Sequence, residues 1–143
     1  MSNFQMKVKR LNPKAILPDY KHDGDAGLNL YSIVRAKLEP GARATVPTGI
    51  ATEIPAGHVG LIWDRSGLSH KSGLKVMGGV IDAGYRGEIG VGLVNTSHEA
   101  YTIEAGDKIA QMLIQEVEHV LISEVAELSD TSRGSAGFGS TGR

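Results

Sequence analysis

The chain contains no cysteine in 143 residues, which excludes a disulfide framework, a thiolate zinc site and a cysteine nucleophile. Neither sign of charge is in excess. Fifteen Lys+Arg against 16 Asp+Glu leave a formal net charge of −1, so bulk electrostatics predicts no nucleic-acid partner and no anionic membrane surface. No apolar run approaches the ~18 residues of a spanning helix, so no membrane segment is expected. The first ten residues carry Lys7, Lys9 and Arg10 with no apolar core behind them. That is not a secretory pattern, and the expected location is cytoplasmic. Proline is absent after Pro55 and aromatics make up only 5%. The five histidines (His22, His58, His70, His98, His119) show no paired spacing with a carboxylate, so no protein-held zinc or iron site is expected.

Glycine is what the chain has in abundance. There are 19, where average usage of about 7% would give roughly ten. Length and composition suit one domain with a substantial core. Pro40-Gly41, Pro47, Gly49 and Pro55-Ala56-Gly57 punctuate short apolar or alternating runs. Such runs occur at Met6–Lys9, Gly49–Ile54, His58–Trp63 and Ile89–Val94. Period-2 segments between turn signals predict many short strands, closed as a barrel, sandwich or jelly roll. One short helix is predicted from Ser66 to about Lys71, with Ser66 as its cap. Ile109–Val117 is read as a strand, because Leu113, Gln115 and Val117 alternate after a turn at Ala105-Gly106-Asp107. Trp63 and Tyr31 are expected to pack in the core or at an interface. Glu116, Glu118, Glu124 and Glu127 are expected to form a solvated strand face.

The division expected is a β domain over residues 1–128 and a flexible glycine-rich arm over 129–143. The arm holds four glycines, four serines and two threonines, with Phe138 its only large apolar residue. Such a segment cannot bury enough surface to order itself. An aromatic within Gly137-Phe138-Gly139, flanked by Arg133 and Arg143, suits stacking and anion binding over a ligand.

Three further clusters suggest chemistry. Asp25-Ala26-Gly27-Leu28-Asn29-Leu30-Tyr31-Ser32 is the first of the glycine-containing clusters. In Asp64-Arg65-Ser66-Gly67-Leu68, a guanidinium, a hydroxyl and first-turn N–H groups can converge on a phosphate. A plain capped turn with a surface Arg is the simpler reading of that cluster alone. In Gly79-Val80-Ile81-Asp82-Ala83-Gly84-Tyr85-Arg86-Gly87, Asp82 directly follows an apolar strand and precedes a glycine turn. A carboxylate held rigidly there can activate water, although acids at such places also cap turns.

In this order, and with Gly106-Asp107-Lys108-Ile109-Ala110-Gln111 and the Arg133–Gly142 arm, the clusters resemble the five motifs of the trimeric dUTPase family. The resemblance runs nearly end to end. It implies an all-β, jelly-roll-like barrel with one short helix and a closing C-terminal arm. It also implies a homotrimer with shared active sites, and Mg2+ held by the phosphates of dUTP and water rather than by the protein directly. The implied reaction is hydrolysis of dUTP to dUMP and pyrophosphate by water attack on the α-phosphate. That reaction limits uracil incorporation into DNA and supplies dUMP for thymidylate synthesis. By resemblance, Asp82 is the catalytic base and Tyr85 packs on the deoxyribose. The segment Gly79, Val80, Ile81 through Tyr85 to Gly90 forms a hairpin that binds uracil. Arg65, Ser66 and Gly67 hold phosphates with support from Gln111. Arg133 meets the γ-phosphate and Phe138 stacks on the base, with Gly139, Ser140 and Thr141 beside it.

Three positions depart from the family pattern. Asn29 stands where an Asp of the site shell is usual, Ala136 where glycine is usual, and Asp64 where proline is common. An acid at 64 could pair with Arg65. Asn29 removes a negative charge and adds a donor, so Asn29→Asp is expected to raise activity. Two alternatives therefore stand beside the enzyme: a nucleotide-binding or regulatory homologue slowed by Asn29, and a dCTP deaminase of the same superfamily. The Asp82–Tyr85 motif and the Phe138 arm favour the diphosphatase.

Overall fold

The computed structural model describes residues 4–142. Ten strands and one helix follow in chain order: β1 Lys7–Arg10, β2 Leu28–Tyr31, β3 Ala36–Leu38, β4 Arg43–Glu53, β5 His58–Trp63, α1 Ser66–Ser72, β6 Leu74–Met77, β7 Val80–Ile81, β8 Glu88–Asn95, β9 Tyr101–Ile103 and β10 Lys108–Glu116. They form two four-stranded sheets, β1-β4-β8-β6 and β2-β10-β5-β7, and a β3-β9 ribbon. Every pairing among the described strands is antiparallel. The inner faces of both large sheets meet in one apolar cluster, giving a jelly-roll-like all-β body.

Strand β8 illustrates how sequence alternation becomes a layer. Ile89, Val91 and Leu93 are fully buried, while Gly90, Gly92 and Val94 between them face outward. From the opposite sheet, Leu30, Ile62, Ile109 and Met112 close on them. Burying each such aliphatic side chain contributes about 1.5–3 kcal/mol. Asn95 at the end of β8 is also fully buried. Its Nδ2 donates to the carbonyls of Leu38 (3.0 Å) and Glu99 (2.7 Å), and its Oδ1 accepts from Ser97 N (2.9 Å) and Oγ (2.7 Å). This one amide therefore ties β8, β3 and the turn before β9. Asn95→Ala is expected to cost about 2–4 kcal/mol, because several buried groups lose partners together. Chemical denaturation checks the value.

The structure departs from the sequence reading in three elements. The run read as Gly49–Ile54 is, as far as Glu53, the second half of a longer strand, since β4 runs through Pro47 and Gly49. The register with β8 shifts between Pro47 and Ala51, and this irregularity accommodates a proline that has no N–H to offer. The helix cap is Arg65 and not Ser66. Arg65 is extended (φ −86, ψ 127) and no side chain caps the first turn. Gly79 to Gly90 is not a simple hairpin: β7 pairs with β5, whereas β8 pairs with β4 and β6. The chain leaves β6, crosses to the other sheet as β7, and returns to pair with β6 as β8.

Strand β10 ends at Glu116, and every described residue from 115 onward is exposed. The acidic residues Glu116, Glu118, Glu124 and Glu127 are exposed as expected, but Glu118, Glu124 and Glu127 lie beyond the strand rather than on a strand face, and Val120, Leu121, Ile122 and Leu128 are exposed with them. Tyr31 is buried, but Trp63 is 54% exposed in the protomer.

Candidate active site

The chain before β2 doubles back on that strand. Asp19 and Asn29 form an antiparallel bridge, with Asn29 N–H donating to the Asp19 carbonyl at 2.8 Å. The Asn29 side chain is 8% exposed. Its Nδ2 donates to the same carbonyl (3.2 Å) and reaches Asp19 Oδ1 at 3.4 Å. Tyr31, two residues on, donates its hydroxyl to that Oδ1 at 2.5 Å. Burial, and then the hydrogen bond to Asp19, push the Tyr31 hydroxyl up to about 12. It therefore remains a donor throughout the neutral range.

Strand β10 pairs with β2 on one side, placing Gln111 opposite Asn29, and with β5 on the other, placing it opposite Trp63. Gln111 crosses beneath Gly27 and donates from Nε2 to the Asp64 carbonyl at 2.8 Å. A Cβ at Gly27 would collide with the Gln111 side chain, so this glycine is what lets the crossing form. Asp64 does not pair with Arg65. Its carboxylate holds Lys75 Nζ (2.5 Å) and accepts the Val76 N–H (2.6 Å). It thus brackets the start of α1 to the edge of β6 and leaves Arg65 unengaged. Among the described residues, the Arg65 guanidinium has no hydrogen-bond or ion-pair partner.

These constraints produce a cleft of about 260 Å³ lined by Asn29, Arg65, Ser66, Gly67 and Gln111, together with Lys21, His22, Asp25, Ala26 and Gly27. Five residues expected at the site from the sequence therefore meet in one place. Asp25 belongs to the first cluster, whereas Lys21 and His22 were not foreseen. Their signal was the polar Lys21-His22-Asp23-Gly24 run directly before the first cluster. Two cationic side chains, an uncapped helical turn and one carboxylate suit an oxyanion chain. Among the described residues, no three His, Asp or Glu side chains converge as a metal cage. A magnesium ion arriving on a triphosphate needs no such cage, because phosphate oxygens and water supply its ligands.

The other expected residues lie outside this cleft. Gly79 has φ +112, and a Cβ there would stand 2.6 Å from the Ile62 carbonyl. Only glycine fits this close approach, which is closed by an Ile62 N–H bond to the Gly79 carbonyl at 2.7 Å. Val80 and Ile81 pair with Leu61 and Gly60, and Asp82 follows at the strand end. Asp82 is exposed; its carbonyl accepts the Tyr85 N–H at 3.1 Å. Among the described residues, its carboxylate takes no hydrogen bond. Tyr85 lies across Gly87 and donates to the Glu88 carbonyl at 2.8 Å. Gly90 opens on a separate groove with Thr45 and Met77. In the arm, Arg133 bonds only within its own turn, to the carbonyls of Ala136 (3.2 Å) and Gly137 (3.2 Å). Phe138, Gly139, Ser140 and Thr141 are exposed. Arg143 lies outside the described residues.

A jelly-roll body bearing a cleft with two cationic side chains, and an exposed carboxylate at a strand end elsewhere, suits an anionic ligand. Comparison narrows the class. The sequence profile of the dUTPase family matches residues 13–142. A deoxyuridine 5'-triphosphate nucleotidohydrolase of Clostridium kluyveri is 48% identical over 141 residues, spanning 97% of this chain and 99% of that protein. One from Mycobacterium leprae is 50% identical over 145 residues, spanning 96% and 94%. The dUTPase of Staphylococcus bacteriophage 80alpha, solved with dUpNHpp, superposes with TM-score 0.93 at 33% identity over 99% of this chain and 100% of that one. A mutant dUTPase of S. aureus phage phi11 (TM-score 0.83, 30% identity, 88% and 99% covered) is described as revealing the coordination of a structural Mg(II) ion. The chain belongs to the dUTPase family.

Proposed function

We propose that this protein is a dUTP diphosphatase that hydrolyses dUTP to dUMP and pyrophosphate. The observation that carries the reading is that similarity over residues 13–142 spans all five motif segments, including the phosphate cleft and Asp82. In the mechanism we infer, Arg65, Ser66 and Gly67 hold phosphate oxygens, and Gln111 keeps that wall in place through Asp64. Bound magnesium neutralises phosphate charge as a Lewis acid. Asp82 orients and deprotonates the attacking water, and no covalent intermediate is needed. Tyr85, braced on the Glu88 carbonyl, fills the space a 2′-hydroxyl would need. Backbone groups from Gly79 to Gly90 read uracil, and a tight approach at C5 rejects the thymine methyl.

The assembly we infer is a homotrimer with shared sites. Two features support it. Asp82 and the arm do not line the cleft that holds Arg65, so a complete site draws on other copies. The segment leaving β10 exposes Leu121, Ile122 and Leu128, an amount of apolar surface that a partner surface normally covers. We place the division between body and arm at residues 128 and 129, and the enzyme in the cytoplasm. Among the described residues, no helix is long and apolar enough to cross a membrane.

Light scattering should return three times the protomer mass, and the same preparation should release pyrophosphate from dUTP with Mg2+. A monomer that turns over dUTP would contradict the shared site. Tight dUTP binding without turnover would favour a regulatory homologue, and ammonia release from dCTP a deaminase.

A further inference from the structure

At position 29 an acid and an amide have opposite consequences. The Asn29 Nδ2 points at two acceptors of one residue, the Asp19 carbonyl at 3.2 Å and the Asp19 carboxylate at 3.4 Å. An aspartate at 29 would set a third acceptor there, and a second negative charge beside the first. The Asp19 carboxylate is itself constrained. Oδ1 is held by Tyr31 and Asn29, whereas among the described residues Oδ2 accepts nothing and the side chain faces solvent. Asn29 lines the cleft with Arg65, and the Arg65 charge is felt at the Tyr31 hydroxyl that binds Asp19. One Asp19 carboxylate oxygen therefore ties the cleft-lining Asn29 to Tyr31.

We propose that Asp19 and Asn29 are a matched acid–amide pair, in which Asp19 fixes the Asn29 side chain in the cleft wall that it shares with Arg65 and Asn29 is the donor that holds Asp19 in place. The inference rests on the diphosphatase reading for its kinetic part only. It makes Asp19 a positioning residue, and it reverses the expectation that an acid at 29 raises activity. With Asp19 present, Asn29→Asp brings two carboxylates together and removes the donor. Exchanging both residues removes the pair of like charges, although a carboxylate at 29 still faces the backbone carbonyl of residue 19.

The test is a double-mutant cycle in the full-length protein with Asn29→Asp, Asp19→Asn and the double exchange. Three quantities are read: the thermal midpoint without nucleotide, the Kd of dUpNHpp with Mg2+, and kcat and KM for dUTP. Residues sharing a hydrogen-bond network typically couple by a few-fold to about a hundredfold. Asn29→Asp is expected to lower the midpoint and to weaken dUpNHpp binding and kcat/KM about tenfold. The double exchange is expected to recover part of each loss, the share owed to the two like charges. If Asn29→Asp does not fold, recovery in the double exchange still decides. An Asn29→Asp protein as stable and as fast as the parent would overturn the proposal, and so would effects that simply multiply. Coupling in the midpoint without coupling in dUpNHpp affinity would overturn the positioning role. A parent that releases no pyrophosphate would refute the diphosphatase reading, while the midpoint and dUpNHpp data would still judge the pair.

Discussion

Asp82→Asn is expected to slow dUTP hydrolysis by about 10²–10⁴-fold, the usual cost of losing a general base, while dUpNHpp binds within a few-fold of the parent. Asparagine keeps the size and shape of the side chain and loses only the capacity to take a proton. The backbone that presents residue 82 does not depend on the carboxylate. It is set by the pairing of Val80 and Ile81 with β5 and by the Tyr85 N–H bond to the residue 82 carbonyl. The thermal midpoint should therefore stay close to the parent value. Ground-state binding should survive as well, because Arg65, Ser66 and the phosphate-borne cation are untouched and a negative charge near a polyphosphate has been removed. The expected signature is a fall in kcat with little change in KM, which marks an interaction made only in the transition state. Single-turnover kinetics and dUpNHpp titration measure the two halves separately. A variant that hydrolyses dUTP at the parent rate would remove Asp82 from the role.

The residues most legible in the sequence are those whose neighbours in space are also neighbours in the chain. His58–Trp63 was read with its observed bounds, because Pro55-Ala56-Gly57 marks its start and alternation carries it to Trp63. Asp82 at a strand end was equally local. Strand β4 was half missed, since Pro47 and Gly49 are ordinary turn signals and only pairing with β8 reveals that a register shift absorbs them. The helix start at Ser66 was legible but its cap was misassigned by one residue, because a serine before an apolar position resembles a cap until Arg65 proves to be the extended one. The cleft was legible in its motif residues but not in its wiring. Gln111 beneath Gly27, Asp64 on Lys75 and Val76, and Asp19 under Asn29 all join segments brought together by long-range strand pairing. Composition records none of that. Trp63 is a related case. An indole usually signals packing, yet this one stands half in solvent on a protomer whose proposed partners are other copies of itself.

Truncation after Ser132 should leave a folded assembly with kcat/KM for dUTP reduced by about 10²–10⁴-fold. Folding is spared because every described residue from 133 onward is exposed and none belongs to the core cluster. The segment taken to hold subunits together, around Leu121 to Leu128, remains. The kinetic loss follows from what the arm offers. Arg133 can supply a charge-assisted hydrogen bond to a phosphate, about 1.5–3 kcal/mol, and Phe138 can stack on a flat base for about 1–3 kcal/mol. At 1.36 kcal/mol per tenfold, these sum to the stated range. Ordering the arm opposes them at about 1–2 kcal/mol for each residue newly fixed. That cost is lowered because the arm is already turned on itself. Gly134 N–H meets the Thr131 carbonyl (3.2 Å), Ser140 N–H that of Gly137 (3.1 Å) and Gly142 N–H that of Gly139 (3.0 Å). Closure then means docking a few preformed turns, and it succeeds only when a triphosphate and a base are both present. Phe138→Ala should accordingly cost less than truncation, about 10–100-fold. Trypsin cleavage after Arg133, timed with and without dUpNHpp and Mg2+, reads the closure directly. Protection by the analogue is the expected result, and equal cleavage in both conditions would reduce the arm to a frayed end.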